Sequence, residues 1–261
     1  MGKTIAVVNQ KGGVGKTTTT VNLAAAIGGA GCRVLMVDAD PQGNATSGMG
    51  VNKRQLDKSV YDCIVSGVPA SECILKTQYE NVYILPSSMN LAGAELELVD
   101  MDKRESRLKT ILAPSKDRFD FIFMDCPPSL GLITLNALCA ADTFLVPIQC
   151  EYYALEGLSQ LMSTVRQVKR LYNPMLDLEG VLLTMYDGRL NLTLQVVNEV
   201  KRFFPKKVYS TTIPRNVRLS EAPSFGQPVM YYDRASRGTA SYTELAKEFL
   251  AENGISWRGE V

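Results

Sequence analysis

The sequence predicts a doubly wound α/β fold, a mostly parallel sheet flanked by helices, and three observations predict it. Short apolar runs alternate with helical stretches along the chain. The runs are near-continuous in apolar residues, as strands of a parallel sheet are when both faces are covered. A glycine-rich loop closes the first run and opens the first helical stretch, the context a phosphate-binding loop needs. Such β–α alternation implies parallel strands joined by helical crossovers. No Pro/Gly/Ser-rich linker and no internal repeat divides the 261 residues, so 1–261 is expected to be one domain.

Each element has its own justification. The first strand is "TIAVVNQ", followed by the loop Gly12-Gly13-Val14-Gly15-Lys16-Thr17-Thr18. A helix is expected from Thr17 to Gly28, ended by Gly28, Gly29 and Gly31. "RVLMVDA" and "NVYILPS" read as strands, and Asn90 to Leu112 as a helix. "FDFIFMDCP" and "DTFLVPIQ" follow as buried strands, then a helix from Leu155 to Leu171. "GVLLTMYD", a helix from Leu192 to Phe203, and "KVYSTTIP" complete the alternation. The end, "YTELAKEFLAENGISWRGEV", carries Leu245, Phe249 and Leu250 on one face and reads as a packed closing helix.

Composition narrows the chemistry. A hydrophobic content of 46% and a charged content of 21% suit a globular chain. The net charge of +1 means that any attraction to nucleic acid must come from a local basic patch. No apolar run approaches the ~20 residues that span a bilayer, and no leader is evident, so a cytoplasmic protein is expected. The six cysteines form no C-x-x-C pair and read as small buried hydrophobes in a reducing interior. Histidine is absent, which removes imidazole bases, Ser-His triads and most zinc or iron sites. Chemistry is left to carboxylates, lysines, backbone amides and a hard metal ion.

The loop supplies those groups. Its glycines let backbone N–H groups turn inward around phosphate oxygens, and the helix N-terminus adds its dipole. Lys16 is placed to bridge β- and γ-phosphates of ATP, and the Thr17 hydroxyl to ligate Mg²⁺. Asp125 ends a buried strand, where a carboxylate is costly without a partner, and is expected to hold the metal. Asp38 and Asp40 end another strand, and neighbouring parallel strands present their carboxyl ends at one sheet edge. Asp38 is thus a further metal candidate, and Asp40 the group to orient an attacking water. Lys11, at the loop's entrance, is a second cation that the loop motif does not require.

With these residues the chain resembles the ParA-type partition ATPases, closest to the short chromosomal ParA/Soj proteins. "KGGVGKTT" looks like the deviant Walker A signature, and "VDADPQGN" and "FIFMDCPPSLG" like the A′ and Walker B motifs. "TTIPRNVRLSEAPSFGQPV" is similar to the family's C-terminal signature. The resemblance spans nearly the whole chain and implies the short form, without the extra N-terminal DNA-binding domain expected of the longer plasmid forms. It implies an ATP-sandwich homodimer in which Lys11 crosses to the partner's phosphates, comparable to an arginine finger. Gly12 would then be small so that the two loops can meet face to face. Glu151 resembles the acidic position that meets the partner's Lys11. "PRNV", with Pro214 and Asn216, resembles the loop that holds adenine, with Thr184 and Met185 near the base. Arg189 and Arg218 match positions that carry DNA contacts in the Soj-like group.

Three functions share such an ATP site. The first is DNA segregation: an ATP-bound dimer on nucleoid DNA, bound without sequence preference, whose hydrolysis a ParB-type centromere-binding partner stimulates. The second is a MinD-like membrane switch, which needs a basic amphipathic C-terminal helix; here glutamates lie among the polar residues. The third is a nitrogenase-iron-protein-like reductase, whose Cys-Gly-Gly pattern is absent. The first fits best, with no membrane partner expected.

Overall fold

The computed structural model describes residues 2–151 and 154–259. The apolar runs become β1 (Lys3–Val7), β2 (Val34–Asp38), β4 (Val82–Leu85), β5 (Phe121–Asp125), β6 (Thr143–Gln149) and β7 (Asp177–Tyr186), with two-residue strands β3 (Leu75–Lys76) and β8 (Ile213–Pro214). They build one eight-stranded sheet in the order β3-β4-β2-β5-β1-β6-β7-β8. The pairings are parallel apart from the edge pair β3–β4. β3 is exposed and too short to leave an apolar signal in the sequence.

The sheet is covered on both faces, which explains the absence of polar alternation. Side chains alternate across a strand. In β5, Ile122 and Met124 enter one apolar cluster, whereas Phe121 and Phe123 enter the other. The closing helix, Arg237–Glu252, packs on the loop helix Lys16–Gly29. Its Leu245, Phe249 and Leu250 are fully buried, and the Phe249 ring lies 5.1 Å from that of Phe121 and 5.5 Å from that of Phe123. Ser236 caps this helix by accepting a hydrogen bond from the Thr239 amide at 3.1 Å. No described helix is long and apolar enough to cross a membrane.

Two expectations are corrected, and one helix is new. The helix foreseen from Asn90 to Leu112 is two shorter ones, Leu91–Glu97 and Arg107–Leu112. Asp100 and Asp102 stand unfavourably at the negative end of the first, and Lys103 takes a left-handed φ of 53° that breaks the path. "KVYSTTIP" pairs only at Ile213–Pro214 and at an isolated bridge from Val208 to Val181. Between them the Ser210 and Thr211 amides donate to Glu248 of the closing helix, at 2.6 and 2.9 Å, instead of to a strand. A helix at Leu132–Ala140 escaped the sequence reading. Most of its residues are buried, so it shows no amphipathic stripe.

Candidate functional site: a phosphate loop beside a base-sized cavity

Register brings the acidic residues under the loop. Val7, the end of β1, is level with Asp125, and Asp125 is level with Asp38 across β5 and β2. The loop leaving β1 therefore opens over the carboxyl ends of three adjacent strands, where ligands of open α/β sheets bind. Gly13 and Gly15 have φ of 73° and 90°, a left-handed geometry that a side chain would strain. Gly12 has no such φ. A Cβ there would meet only the Cβ of Pro128, at 3.8 Å. Val14 is buried, so it serves the loop through its backbone.

Lys16, 7% exposed, donates from Nζ to the Lys11 carbonyl at 3.0 Å. Burial pushes its pKa down, while the charge of Asp125 pulls it back. The Thr17 hydroxyl donates to Asp125 Oδ2 at 2.7 Å, and that of Thr20, one helical turn on, to Oδ1 at 3.3 Å. Thr20 went unnoticed in the sequence, though its spacing from Thr17 puts both on one helix face.

Asp38 lies beside Asp125 but is engaged inward. Its Oδ2 accepts from the amide and hydroxyl of Thr46, both at 2.7 Å, and its Oδ1 from the Asp40 amide at 3.2 Å. It clamps the loop that carries Asp40. Asp40, 7% exposed, accepts from the Gln42 amide at 2.9 Å through Oδ1 alone. Burial raises the pKa values of both Asp38 and Asp125, and each of the two feels further negative charge from its neighbours. The site is short of positive charge. A hydroxyl and carboxylates, all hard oxygen donors, suit Mg²⁺. Among the described residues no group of three acidic, Cys or His side chains could hold a metal alone. A hard ion here must complete its shell from phosphate oxygens and water, as Mg²⁺ commonly does.

A cavity of about 400 Å³ adjoins the loop and shares Gly15 and Thr18 with it. Thr184, Met185, Pro214 and Asn216 line it, the residues expected near a base. Leu219 and Tyr242 add walls that the sequence did not reveal, because their elements come together only through the closing helix. Asn216 caps the short helix Val217–Glu221, accepting from the Arg218 amide at 2.9 Å.

The remaining predicted residues are occupied within the chain. Lys11 forms an ion pair with Glu151 of its own protomer, both side chains partly exposed. Arg189 is held by Asp187, and Arg218 by Glu221 at 2.7 Å and Asp233 at 3.0 Å. Arg215, Arg234 and Arg237 are exposed along the same C-terminal stretch as Arg218. The six cysteines are buried and free, and the Cys63 and Cys73 sulfurs lie 3.3 Å apart, a proximity their ten-residue separation did not signal.

The fold and this loop define a P-loop protein with a mostly parallel sheet flanked by helices. The AAA domain family matches residues 2–178. The chain is 57% identical over 254 residues to the sporulation initiation inhibitor protein Soj of Bacillus subtilis, covering 97% of this chain and 100% of that one. It is 51% identical to the chromosome partitioning protein ParA of Myxococcus xanthus over 96% of this chain and 88% of that one. A solved structure of cobyrinic acid a,c-diamide synthase from Mycobacterium smegmatis, with bound ADP and magnesium, superposes with a TM-score of 0.84 at 36% identity, each chain covered in full. The chain belongs to the ParA/Soj family of chromosome partitioning proteins.

Proposed function

We propose that the protein is a Mg²⁺-dependent ATPase that partitions DNA. Its ATP-bound form would be a sandwich homodimer that binds duplex DNA without sequence preference and hydrolyses ATP when a ParB-type partner stimulates it. The observation that carries this reading is the continuity of the site. A glycine loop with a buried lysine, a Thr17–Asp125 pair beneath it and a cavity at its side form one continuous surface, which supports nucleotide binding. The relatives named for chromosome partitioning support the biological role.

In this reading the amides around Gly13 and Gly15 and the ammonium of Lys16 bind phosphate oxygens. Thr17 and Asp125 hold Mg²⁺, with Asp38 behind them keeping the 39–46 loop in place. Mg²⁺, when bound, neutralises charge on the β- and γ-phosphates. Asp40, with one carboxylate oxygen that accepts no hydrogen bond from the described residues, orients the water. Lys11 leaves Glu151 and supplies the cation in trans, and Glu151 receives the partner's Lys11. The cavity residues Thr18, Thr184, Met185, Pro214 and Asn216 take adenine. Arg189 and Arg218 exchange carboxylates for DNA phosphates, placing the protein on the nucleoid.

Duplex binding measured with and without ATP, beside liposome binding, tests the reading. Expected is ATP-dependent retention of DNA of any sequence and none of vesicles. Vesicle binding without DNA binding would instead favour the MinD-like alternative, against which the burial of Leu245, Phe249 and Leu250 argues.

A further inference from the structure

We propose that Thr184 is a positioning residue of the phosphate loop: it aims the Gly15 amide at phosphate and joins the loop to the base cavity. The inference rests on the nucleotide reading above and gives this residue a second role. Thr184 stands near the end of β7 and is 2% exposed. Its Oγ1 donates a hydrogen bond to the Val14 carbonyl at 2.8 Å. A trans peptide unit is planar, so its C=O and N–H point opposite ways. Fixing the Val14 carbonyl against β7 therefore turns the N–H of Gly15, in the same peptide unit, to the loop's other side. That side is the hollow in which backbone amides meet phosphate oxygens.

The methyl group of the same side chain faces the loop at Gly15. A Cβ placed on Gly15 would lie 3.6 Å from Thr184 Cγ2, so Thr184 packs under the one residue whose φ of 90° shapes the turn. Thr184 also lines the cavity, together with Gly15 and Met185. Met185 has a left-handed φ of 48°, and the β7–β8 register shifts between Thr184 and Tyr186. A base seated in the cavity and a phosphate seated in the loop would thus both adjoin one buried side chain.

Two substitutions separate the hydroxyl from the shape. Thr184→Val keeps the branch and removes the donor, leaving the Val14 carbonyl buried without a partner and its peptide free to turn. Thr184→Ser keeps the donor and removes the methyl. Affinities for Mg²⁺–ADP by titration calorimetry, and for adenosine by competition, provide the readout, with melting temperature in the absence of nucleotide as a check of folding. Expected is a loss of ~10-fold in ADP affinity for the valine variant, the scale of one buried hydrogen bond. Its adenosine affinity should fall by a clearly smaller factor than its ADP affinity, and the serine variant should regain most of the ADP affinity. Equal losses for ADP and adenosine would make Thr184 a base contact only and overturn the proposal. So would equal losses in the valine and serine variants, or an unchanged valine variant. A parent that binds neither ADP nor ATP would instead remove the nucleotide reading itself.

Discussion

Lys16 and Lys11 lie five residues apart and carry the same charge, yet the structure gives them different work. Lys16 is buried and held on a loop carbonyl, so Lys16→Ala removes the one ammonium confined among the loop amides. ATP binding by that variant, followed by titration with a fluorescent nucleotide, is expected to be lost, by ~100-fold or more, as for a charged hydrogen-bonding group. Lys11 sits at the surface in a pair of the kind worth about 0–1 kcal/mol. Lys11→Ala should therefore melt within about 1 kcal/mol of the parent, bind ATP, and fail to dimerise with it on a sizing column. Gly12→Val offers the steric counterpart. Its φ is not left-handed and its nearest neighbour is a proline Cβ at 3.8 Å, so the monomer should fold and bind ATP. Light scattering should nevertheless find it monomeric, because the added side chain stands where the two loops would meet.

Phe249 measures what the closing helix contributes at the scale of elements. It is fully buried against two aromatic rings of β5, so Phe249→Ala should cost about 3–5 kcal/mol in denaturant unfolding, the range for an aromatic removed from a core. The loss should not be accompanied by liposome binding unless the helix detaches. This helix was legible in the sequence because Leu245, Phe249 and Leu250 repeat at helical spacing against a polar face. The helix Leu132–Ala140 was illegible for the opposite reason, being buried nearly all round. Pattern reading detects a boundary between water and core, and an element without that boundary leaves no period. The loop end of the sheet was legible residue by residue, since Gly13, Gly15, Lys16, Thr17 and Asp125 form a contiguous motif or end an apolar strand. The inward hydrogen bonds of Asp38, the brace from Thr184 and the wall from Tyr242 depend on contacts between distant parts of the chain. No local pattern records them.

For the whole molecule, the charge distribution sets the expected behaviour on DNA. A net charge of +1 gives a single protomer little general attraction, and Arg189 and Arg218 are each engaged by carboxylates. Those exposed pairs are cheap to open, ~0–1 kcal/mol each. In the proposed dimer, two protomers joined through ATP would present both patches on one rigid body, so the second would engage at high effective concentration. Affinity should then require ATP and fall with salt by a log–log slope of ~0.9 per phosphate neutralised. Removing Arg189 and Arg218 together should weaken all sequences alike and flatten that slope by roughly one unit per lost contact on each protomer, as filter binding across a salt series would show.

The pair between Lys11 and Glu151 gives assembly a different dependence. In the proposed sandwich a protomer would surrender its internal lysine–glutamate contact and gain the equivalent one with its neighbour. Dissolved ions weaken the old contact and the new one alike. Exchange of this kind leaves the tally of opposite charges unchanged, so added salt has little to act on beyond the nucleotide's own phosphates. Raising salt should therefore strip the dimer from DNA well before it parts the two copies. An intermediate salt concentration should hold free, ATP-joined pairs in solution, where their mass can be read directly.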